Sequence, residues 1–386
     1  MTQDRRAACF FSALICLAIG FAWQALTVHY NRDGNWSALF LTGSRFPVPP
    51  ALASEHLYVF PDSAGYDGQM YHYAAHDPLL RHGLGKFIDS PRLRYRRILL
   101  PAMAFLMAGG RQEAIDGCFI ASNLLFVFFG AWWLGRYFVL SGLSPAWSIL
   151  FVTTPAAVTS LDRLTVDLTL TALAMGFAYY AKIESRWRLY AVLVLAGLSR
   201  ETGLVLIAAY CLSQLARRRL AQAVLFSTAV LPAGLWYLYV NSRTETIIGS
   251  WFLAPMVGIV SWAMHPFHYQ YSTLVNTVIL TLEYLSMAGV VMGCVLALLM
   301  WFRNPTGYLE IAAALWTGMA LCFNEGFYQD ALGGGRVLSA LLIFLILRNV
   351  DRLSVVWCLP LILVSMRSWL QLLSPFLGIV KGVVHR

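Results

Sequence analysis

The chain has 386 residues, of which 59% are hydrophobic and only 12% are charged, with a mean hydropathy of +0.64. A soluble domain usually carries about 25% charged residues because its surface faces water, so this composition excludes an ordinary soluble protein. The formal net charge of +9 is not arranged as a basic stripe interleaved with stacking aromatics, so nucleic acid is not an expected partner. The basic residues instead indicate orientation in a membrane.

Apolar runs long enough to cross a bilayer, about 17–25 residues, recur along the chain. They predict an all-α polytopic membrane protein with ten to twelve transmembrane helices in a single domain, 1–386. The runs lie at 7–28, 113–134, 144–160, 164–181, 220–240, 275–301, 306–323 and 336–349, with 353–380 forming two short spans broken near Arg367. No small-residue cleavage site follows the first run, which is therefore interpreted as an uncleaved span.

Two segments do not fit a simple span. Residues 98–109 hold Pro101 and reach at most about 18 Å as a helix, so they are expected to lie at the membrane interface. Residues 189–216 carry Arg200 and Glu201 at their middle, where charge on a lipid-facing helix is costly. A hairpin of two short helices with a charged apex fits this pattern better.

Charge predicts the orientation. If the N-terminus is cytoplasmic, nearly every short basic loop falls on the inside, as the positive-inside rule requires. Those inside residues are Arg5, Arg6, Arg136, Lys182, Arg186, Arg188, Arg217, Arg218, Arg219, Arg303, Arg348, Arg352, Lys381 and Arg386. The outside then holds a long first loop within 29–110, with interfacial helices, and the shorter segments 160–167, 199–202, 241–275 and 324–336.

The densest polar segment of the outer loop is YDGQMYHYAAHDP at 66–78. Asp67 fits the N-cap of a helix and Pro78 follows its end. One interpretation is an amphipathic interfacial helix with a belt of tyrosines. The other is a functional site containing Asp67, with Tyr66, Gln69, Tyr71 and Asp77 positioning a ligand.

Four arginines follow within six residues, in IDSPRLRYRRILLP at 88–101. Arg92, Arg94, Arg96 and Arg97 match either snorkelling to outer-leaflet phosphates or a phosphate clamp, because guanidinium forks bind phosphate oxygens in pairs. Asp89 precedes them. Further ionisable groups are predicted on the same side: Asp162, Asp167, Arg200, Glu201 and Arg336. Asp162, Arg163 and Asp167 either close their turn as a structural ion pair or belong to a site, and Arg200 and Glu201 either neutralise one another or have a function. Arg336 follows a glycine run that, with Glu325 and Asp330, forms either a flexible loop that could contact a ligand or a plain turn. His265 and His268 are weak evidence for a metal site because no third ligand is evident.

The chain resembles the GT-C class of membrane glycosyltransferases. The resemblance rests on a cytoplasmic N-terminus before the first span, on a long outer loop, and on Asp67-Gly68 with Tyr71, which matches the class motif of a first-loop carboxylate and a tyrosine four residues on. The runs at 66–78 and 88–101 more narrowly resemble bacterial proteins of cell-surface glycopolymer formation. Gly68 stands where some members carry a glutamate, so a metal-binding acid pair is not decided.

The resemblance implies transfer of a sugar from a polyprenyl-phosphate donor to a glycan or lipid acceptor at the outer face of a bacterial plasma (inner) membrane. Asp67 is then the catalytic base. Asp162, Asp167, Glu201 and Asp89 position substrate, while Arg92, Arg94, Arg96, Arg97, Arg200 and Arg336 bind phosphate. An inverting displacement is implied. No organic cofactor is expected, and the sequence does not decide on a divalent metal.

Two other functions remain open at this stage. A transporter or flippase for a lipid-linked sugar is often built from repeated halves with helices broken near the midplane, and this sequence has no internal repeat. A non-catalytic scaffold of envelope polysaccharide assembly is the other alternative, and it makes Asp67 dispensable.

Overall fold

The structure is a computed structural model that describes residues 3–245, 252–267, 269, 271–329, 332–350 and 354–384. The chain is 78% helical with almost no strand, which confirms the all-α prediction. In chain order the α-helices are α1 Gln3–Asn31, α2 Asp67–His76, α3 Pro91–Arg96, α4 Leu99–Met107, α5 Ile115–Leu140, α6 Pro155–Arg163, α7 Asp167–Lys182, α8 Arg186–Ser199, α9 Leu204–Ala216, α10 Leu220–Ser227, α11 Leu231–Arg243, α12 Val257–Met264, α13 Thr273–Arg303, α14 Tyr308–Cys322, α15 Glu325–Gln329, α16 Gly333–Arg348, α17 Val355–Leu370 and α18 Leu373–Val384.

Several helices are long and apolar enough to span a membrane. In the described part of the chain four pass this test, Gln3–Asn31, Gln112–Leu140, Leu220–Arg243 and Thr273–Arg303. The pair α17 and α18, bent by 54°, adds a fifth if it is one broken span. The larger number of ten to twelve spans stays a prediction.

The predicted span 144–160 is not one helix. A 3-10 helix, Pro145–Phe151, comes first, and α6 begins only at Pro155. Proline suits the first helical turn because its missing N–H has no partner there in any case. Thr154 caps α6, since its hydroxyl accepts a hydrogen bond from the Ala157 backbone N–H at 3.3 Å. These start signals divide the apolar run into two short helices.

The two ambiguous segments behave as predicted in their local structure. Residues 98–109 form only α4, which is nine residues long and too short to cross a bilayer. Residues 189–216 form α8 and α9, interrupted by Arg200 in an extended conformation (φ −166°, ψ 152°) and by the 3-10 helix Glu201–Gly203. The predicted break at the charged residues is therefore confirmed.

The outer loop has an ordered core of its own. It contains 3-10 helices at Trp36–Phe40, Pro50–Glu55 and Leu84–Phe87, and a short parallel ladder between Thr42–Gly43 and Val59–Phe60. The helix α2 contacts both α4 and α5. Although it belongs to a loop, α2 is almost wholly buried after its first residue.

The centre of the bundle is α7, where every residue from Asp167 to Ala181 is buried. A helix that is apolar on all sides must be surrounded by protein or lipid, and here α5, α6, α8 and α16 contact it. At its C-terminal end, Lys182 donates a hydrogen bond to Ser141 at 2.6 Å, and the Arg136 guanidinium lies 5.0 Å from the Tyr179 ring centroid. Loops assigned by charge to one side thus meet at one end of the bundle.

Candidate functional site

Asp67 begins the helix α2, but it does not cap it. Tyr66 is the N-cap residue, and Asp67 is the first helical residue, so the predicted capping role is wrong. Its carboxylate instead bridges two arginines. Oδ1 lies 2.9 Å from Nη2 of Arg94, and Oδ2 lies 2.7 Å from Nη2 of Arg336. Asp67 therefore links the outer loop to the start of α16.

Gly68 allows α2 to approach α6 closely. A Cβ atom at this position would lie 2.2 Å from the carbonyl oxygen of Arg163 and 2.9 Å from that of Phe40. Both are backbone atoms, which cannot move aside as a flexible side chain can. A second acid beside Asp67 is therefore sterically excluded in this fold, and an adjacent Asp-Glu metal pair is excluded with it.

The four arginines around α3 divide between two faces of the helix. Arg94 forms a two-pronged pair with Asp89, from Nε to Oδ1 at 2.9 Å and from Nη2 to Oδ2 at 2.7 Å. Arg97 donates to Glu201 Oε2 and to the Tyr71 hydroxyl, each at 2.9 Å. Arg94 also lies over the Tyr71 ring, 5.5 Å from its centroid. This face of α3 contacts acids and Tyr71.

Arg92 and Arg96 point elsewhere. Arg92 donates through Nη2 to the backbone oxygens of Thr244 at 2.5 Å and Asn241 at 3.3 Å. Arg96 donates to the Asn241 side chain at 2.9 Å and lies over the Tyr237 ring. Both side chains bind the C-terminal end of α11. This pair does not join Arg94 and Arg97, because residues four apart share a helix face and α11 covers this one. That all four arginines form one phosphate clamp stays a prediction.

Asp167 brings two more arginines into the same network. It is the first residue of α7, where a negative charge is favoured by the helix dipole. Its carboxylate pairs with Arg200, and its Oδ2 lies 3.3 Å from Nη1 of Arg336. Ser160 orders the turn before α7 by accepting a hydrogen bond from the Leu168 N–H at 3.1 Å.

Tyr66 lies between two guanidinium groups. Arg336 is 5.1 Å and Arg163 is 4.9 Å from the centroid of its ring. Arg163 also pairs with Asp162 at 3.2 Å, so Asp162 neighbours the network without entering it. The sequence prediction did not include Arg163 as a site residue, and only its position beside Asp162 could have suggested it.

We call these connected residues the central charge network. It contains four arginines and four carboxylates: Arg94, Arg97, Arg200, Arg336, Asp67, Asp89, Asp167 and Glu201. The pair of Arg97 and Glu201 joins the others through Tyr71, which contacts both Arg97 and Arg94. Five segments contribute to it, namely the α2 start, the α3 region, the α7 start, the break after α8 and the α16 start. Helix ends predicted to share one side of the membrane therefore meet in space, while the side they face stays a prediction.

The network strongly favours the ionised form of Asp67. Burial alone raises the pKa of its carboxyl group, but the Arg336 and Arg94 guanidinium groups outweigh burial and hold the pKa well below the usual range. A carboxylate with a depressed pKa stabilises the fold at every pH above its unfolded value of about 4. That contribution is lost only as the pH falls through the lower, folded value.

Two predicted site residues have structural roles. Gln69 is buried and accepts the Gly43 N–H at 2.9 Å while donating to the Tyr73 hydroxyl at 3.2 Å. Asp77 is buried, and its carboxylate accepts the backbone N–H groups of Arg81 at 2.7 Å and His82 at 2.9 Å. Neither side chain joins the central charge network, and their assignment to ligand positioning stays a prediction. They shape the loop that presents Asp67.

A cavity of about 790 Å³ opens beside Asp89. It is lined by Lys86, Asp89, Arg92, Arg243 and Glu245 together with backbone and small side chains. The volume is within the range of about 300–1,000 Å³ typical of small-molecule sites. Asp89 belongs both to this cavity and to the central charge network, so the cavity borders the network.

Other expectations concern the second half of the chain. The three glycines before Arg336 form no flexible loop, because they are the buried first turn of α16. A Cβ at Gly335 would meet Val364 at 2.9 Å and Pro155 at 3.1 Å, so these glycines let α16 pack tightly. Asp330 and His268 lie outside the described residues. Among the described residues, a different group of potential metal ligands lies on the face of α2 opposite Asp67.

No protein family model, curated relative or solved structure matches this chain. The resemblance to GT-C glycosyltransferases therefore rests on the motifs and the predicted topology of the sequence alone.

Proposed function

We propose that the chain is an integral-membrane glycosyltransferase that moves a sugar from a polyprenyl-phosphate donor to a cell-surface glycan or lipid acceptor. In this proposal it crosses a bacterial plasma membrane ten to twelve times, with a cytoplasmic N-terminus and the central charge network near the outer face. The observation that carries the proposal is the carboxylate of Asp67 held between Arg94 and Arg336. Transfer from a sugar phosphate requires a base that accepts the hydroxyl proton and cations that stabilise the leaving phosphate, and this site places the two side by side.

The reaction follows from these groups. An acceptor hydroxyl attacks the anomeric carbon, and the bond from that carbon to the phosphate oxygen breaks with inversion. Asp67 takes the hydroxyl proton as general base. The electron pair leaves with the polyprenyl phosphate, whose growing charge is stabilised by preorganised arginines. Arg94, Arg97, Arg200 and Arg336 are the phosphate ligands in this scheme, and Asp167 and Glu201 hold them in place.

Donor binding also activates the base. In the resting network Asp67 is a weak base, because its pKa is depressed by Arg336 and Arg94. A donor phosphate that pairs with these guanidinium groups neutralises their charge, so the pKa of Asp67 rises toward the working pH. The same event that positions the leaving group therefore prepares the proton acceptor. The adjacent cavity, with Lys86 and Arg243 on its wall, is large enough for a sugar phosphate.

The test compares Asp67→Asn with Asp89→Asn. Each substitution removes one carboxylate from Arg94 and leaves the other, and Arg336 keeps Asp167 in both variants. Only the first removes the proposed base. We expect transfer to fall by about a hundred- to ten-thousand-fold in Asp67→Asn, measured per folded molecule as sugar on the surface polymer, while Asp89→Asn keeps most of its activity.

The location of the accumulated donor separates the proposal from its rivals. A failed transferase leaves lipid-linked sugar in the outer leaflet, where a membrane-impermeant periodate reagent oxidises it. A failed flippase leaves the sugar in the inner leaflet, protected from the reagent. Polymer made at the wild-type rate by Asp67→Asn contradicts the catalytic role and favours a scaffold.

A further inference from the structure

The helix α2 presents a second set of side chains on the face opposite Asp67. A helical residue advances by about 100°, so His72 and His76 lie one turn apart on one face, and Asp67 and Tyr71 lie on the other. Both imidazoles are buried, with 0% and 2% of the residue exposed. Nothing in the proposed transfer reaction uses them, and burying two histidines calls for partners.

Two carboxylates from distant parts of the chain meet these histidines. Oδ1 of Asp116 lies 2.6 Å from Nε2 of His72 and 3.7 Å from Nε2 of His76. The two Nε2 atoms are 3.1 Å apart. Glu55 approaches from the 3-10 helix of the outer loop, with Oε2 at 4.0 Å from Nε2 of His72 and Oε1 at 3.4 Å from Nδ1 of His76. One ligand atom from each of the four residues lies within 4.8 Å of all the others.

The surroundings orient the ligand atoms. His76 Nδ1 lies 2.6 Å from the side-chain oxygen of Gln112, which only accepts, so Nδ1 carries the proton and donates. Nε2 of His76 consequently directs a lone pair into the cluster. The His72 ring stacks on Phe40, with centroids 4.0 Å apart, which fixes its plane. An outer partner on the distal imidazole nitrogen is characteristic of metal-ligating histidines.

The spacing suits a small tetrahedral cation. Zinc bonds to nitrogen and oxygen at about 2.0–2.2 Å, which places tetrahedral ligand atoms about 3.3 Å apart. Four of the six separations among these atoms, from 2.6 to 4.0 Å, bracket that value, and all the ligand atoms lie within 4.8 Å of one another. Two imidazoles and two carboxylates are ligands that zinc accepts, and four protein ligands close the coordination sphere.

We propose that Glu55, His72, His76 and Asp116 form a structural site for a divalent transition metal, with zinc the best match. The ion joins the 3-10 helix Pro50–Glu55, the helix α2 and the start of α5. It thereby fastens the outer loop to the membrane domain and sets the position of the helix that carries Asp67. Because the site has no open coordination position, it supports the fold rather than the transfer chemistry.

The test measures metal content in protein purified with a non-histidine affinity tag in detergent, without substrate. We expect about one zinc ion per wild-type chain by elemental mass spectrometry, and loss of that ion in His76→Gln. His82→Gln is the matched control, since His82 belongs to the same loop but its side chain is 71% exposed. Gln112→Ala keeps all four ligands and should weaken zinc affinity by about 10- to 100-fold.

A second readout applies if His76→Gln does not fold. Chelation of wild-type protein should lower its Tm, and added Zn²⁺ but not Mg²⁺ should restore it, with Glu55→Gln shifting the restoration to higher Zn²⁺. Wild-type protein that contains no transition metal and shows no Tm change with chelator or Zn²⁺ overturns the proposal. Equal zinc content in wild type and His76→Gln overturns it too. Neither result depends on whether the chain transfers a sugar.

Discussion

Arg94 and Arg96 stand two residues apart on one short helix, yet they have opposite surroundings. Arg94 contacts two carboxylates, Asp67 and Asp89, and its charge is balanced. Arg96 contacts the neutral side chain of Asn241, as Arg92 contacts backbone oxygens at the same helix end. Cations are favoured at a helix C-terminus by its dipole. The difference shows that four equal charges in sequence serve two purposes, a counter-ion network and the docking of α3 on α11.

The largest effect is expected when each arginine is replaced by lysine. Lysine keeps the charge but loses the planar fork, so Arg94→Lys cannot hold Asp67 and Asp89 with the same geometry. A charge-assisted hydrogen bond contributes roughly 1.5–3 kcal/mol, so we expect transfer to fall by about tenfold to a hundredfold. Arg96→Lys should transfer sugar at the wild-type rate per folded molecule.

Both lysine variants should accumulate in the membrane, as measured by size-exclusion chromatography of a fluorescent fusion. Equal activity losses in the two variants would mean that both faces of α3 belong to one phosphate-binding site. Full activity in both would remove Arg94 from phosphate binding.

The next effect concerns the pH dependence of transfer. Arg336→Gln removes the neighbour that most strongly lowers the pKa of Asp67, so the folded pKa should rise. The base is then protonated at a higher pH, and the acid limb of kcat/KM should move to higher pH. A pH–rate profile measures this shift. An unchanged acid limb would mean that Asp67 is not the group that limits catalysis in acid.

The smallest effect is expected on the face of α3 that packs on α11. Arg96→Ala removes the hydrogen bond to Asn241, and a typical bond of this kind contributes about 1 kcal/mol. We expect a modest fall in the Tm measured in detergent, with activity per folded molecule unchanged. Asn241→Ala removes the same bond from the other side but keeps Arg96 over the Tyr237 ring, so its Tm should fall less. A selective loss of transfer in Arg96→Ala would place this arginine in the site after all.

The sequence predicted which charged residues meet in space better than it predicted what each of them does. Asp67, Arg94, Asp167, Arg200 and Arg336 were assigned to one side by charge alternation alone, and they meet in the structure because helix ends on one side of a bundle are neighbours. The division of the four arginines between two faces of α3 could in principle be predicted from the sequence. Pro91 after Ser90 is a helix start signal, and a helix there separates residues 92 and 96 from 94 and 97.

Other features depend on contacts that no local pattern reveals. The His72 and His76 spacing is visible in sequence, but Glu55 and Asp116 reach these histidines only through the tertiary fold. In the sequence Asp77 resembles an acid that positions a ligand. Only the structure shows that its carboxylate accepts hydrogen bonds from the backbone N–H groups of Arg81 and His82 and so holds the loop together. Pro145 and Pro155 signal the division of the apolar run 144–160, because proline favours the first turn of a helix.

The contact between Gly68 and the carbonyl oxygen of Arg163 has a consequence for engineering this protein. Backbone packed directly on backbone sets the distance between α2 and the end of α6 without any side chain acting as a spacer. The positions around it can then be redesigned one at a time, since exchanging a charged group leaves this reference distance unchanged. Variants with altered donor or acceptor preference are best sought by mutating Tyr66, Asp162 and Arg163, while Gly68 is left unchanged in every mutant library.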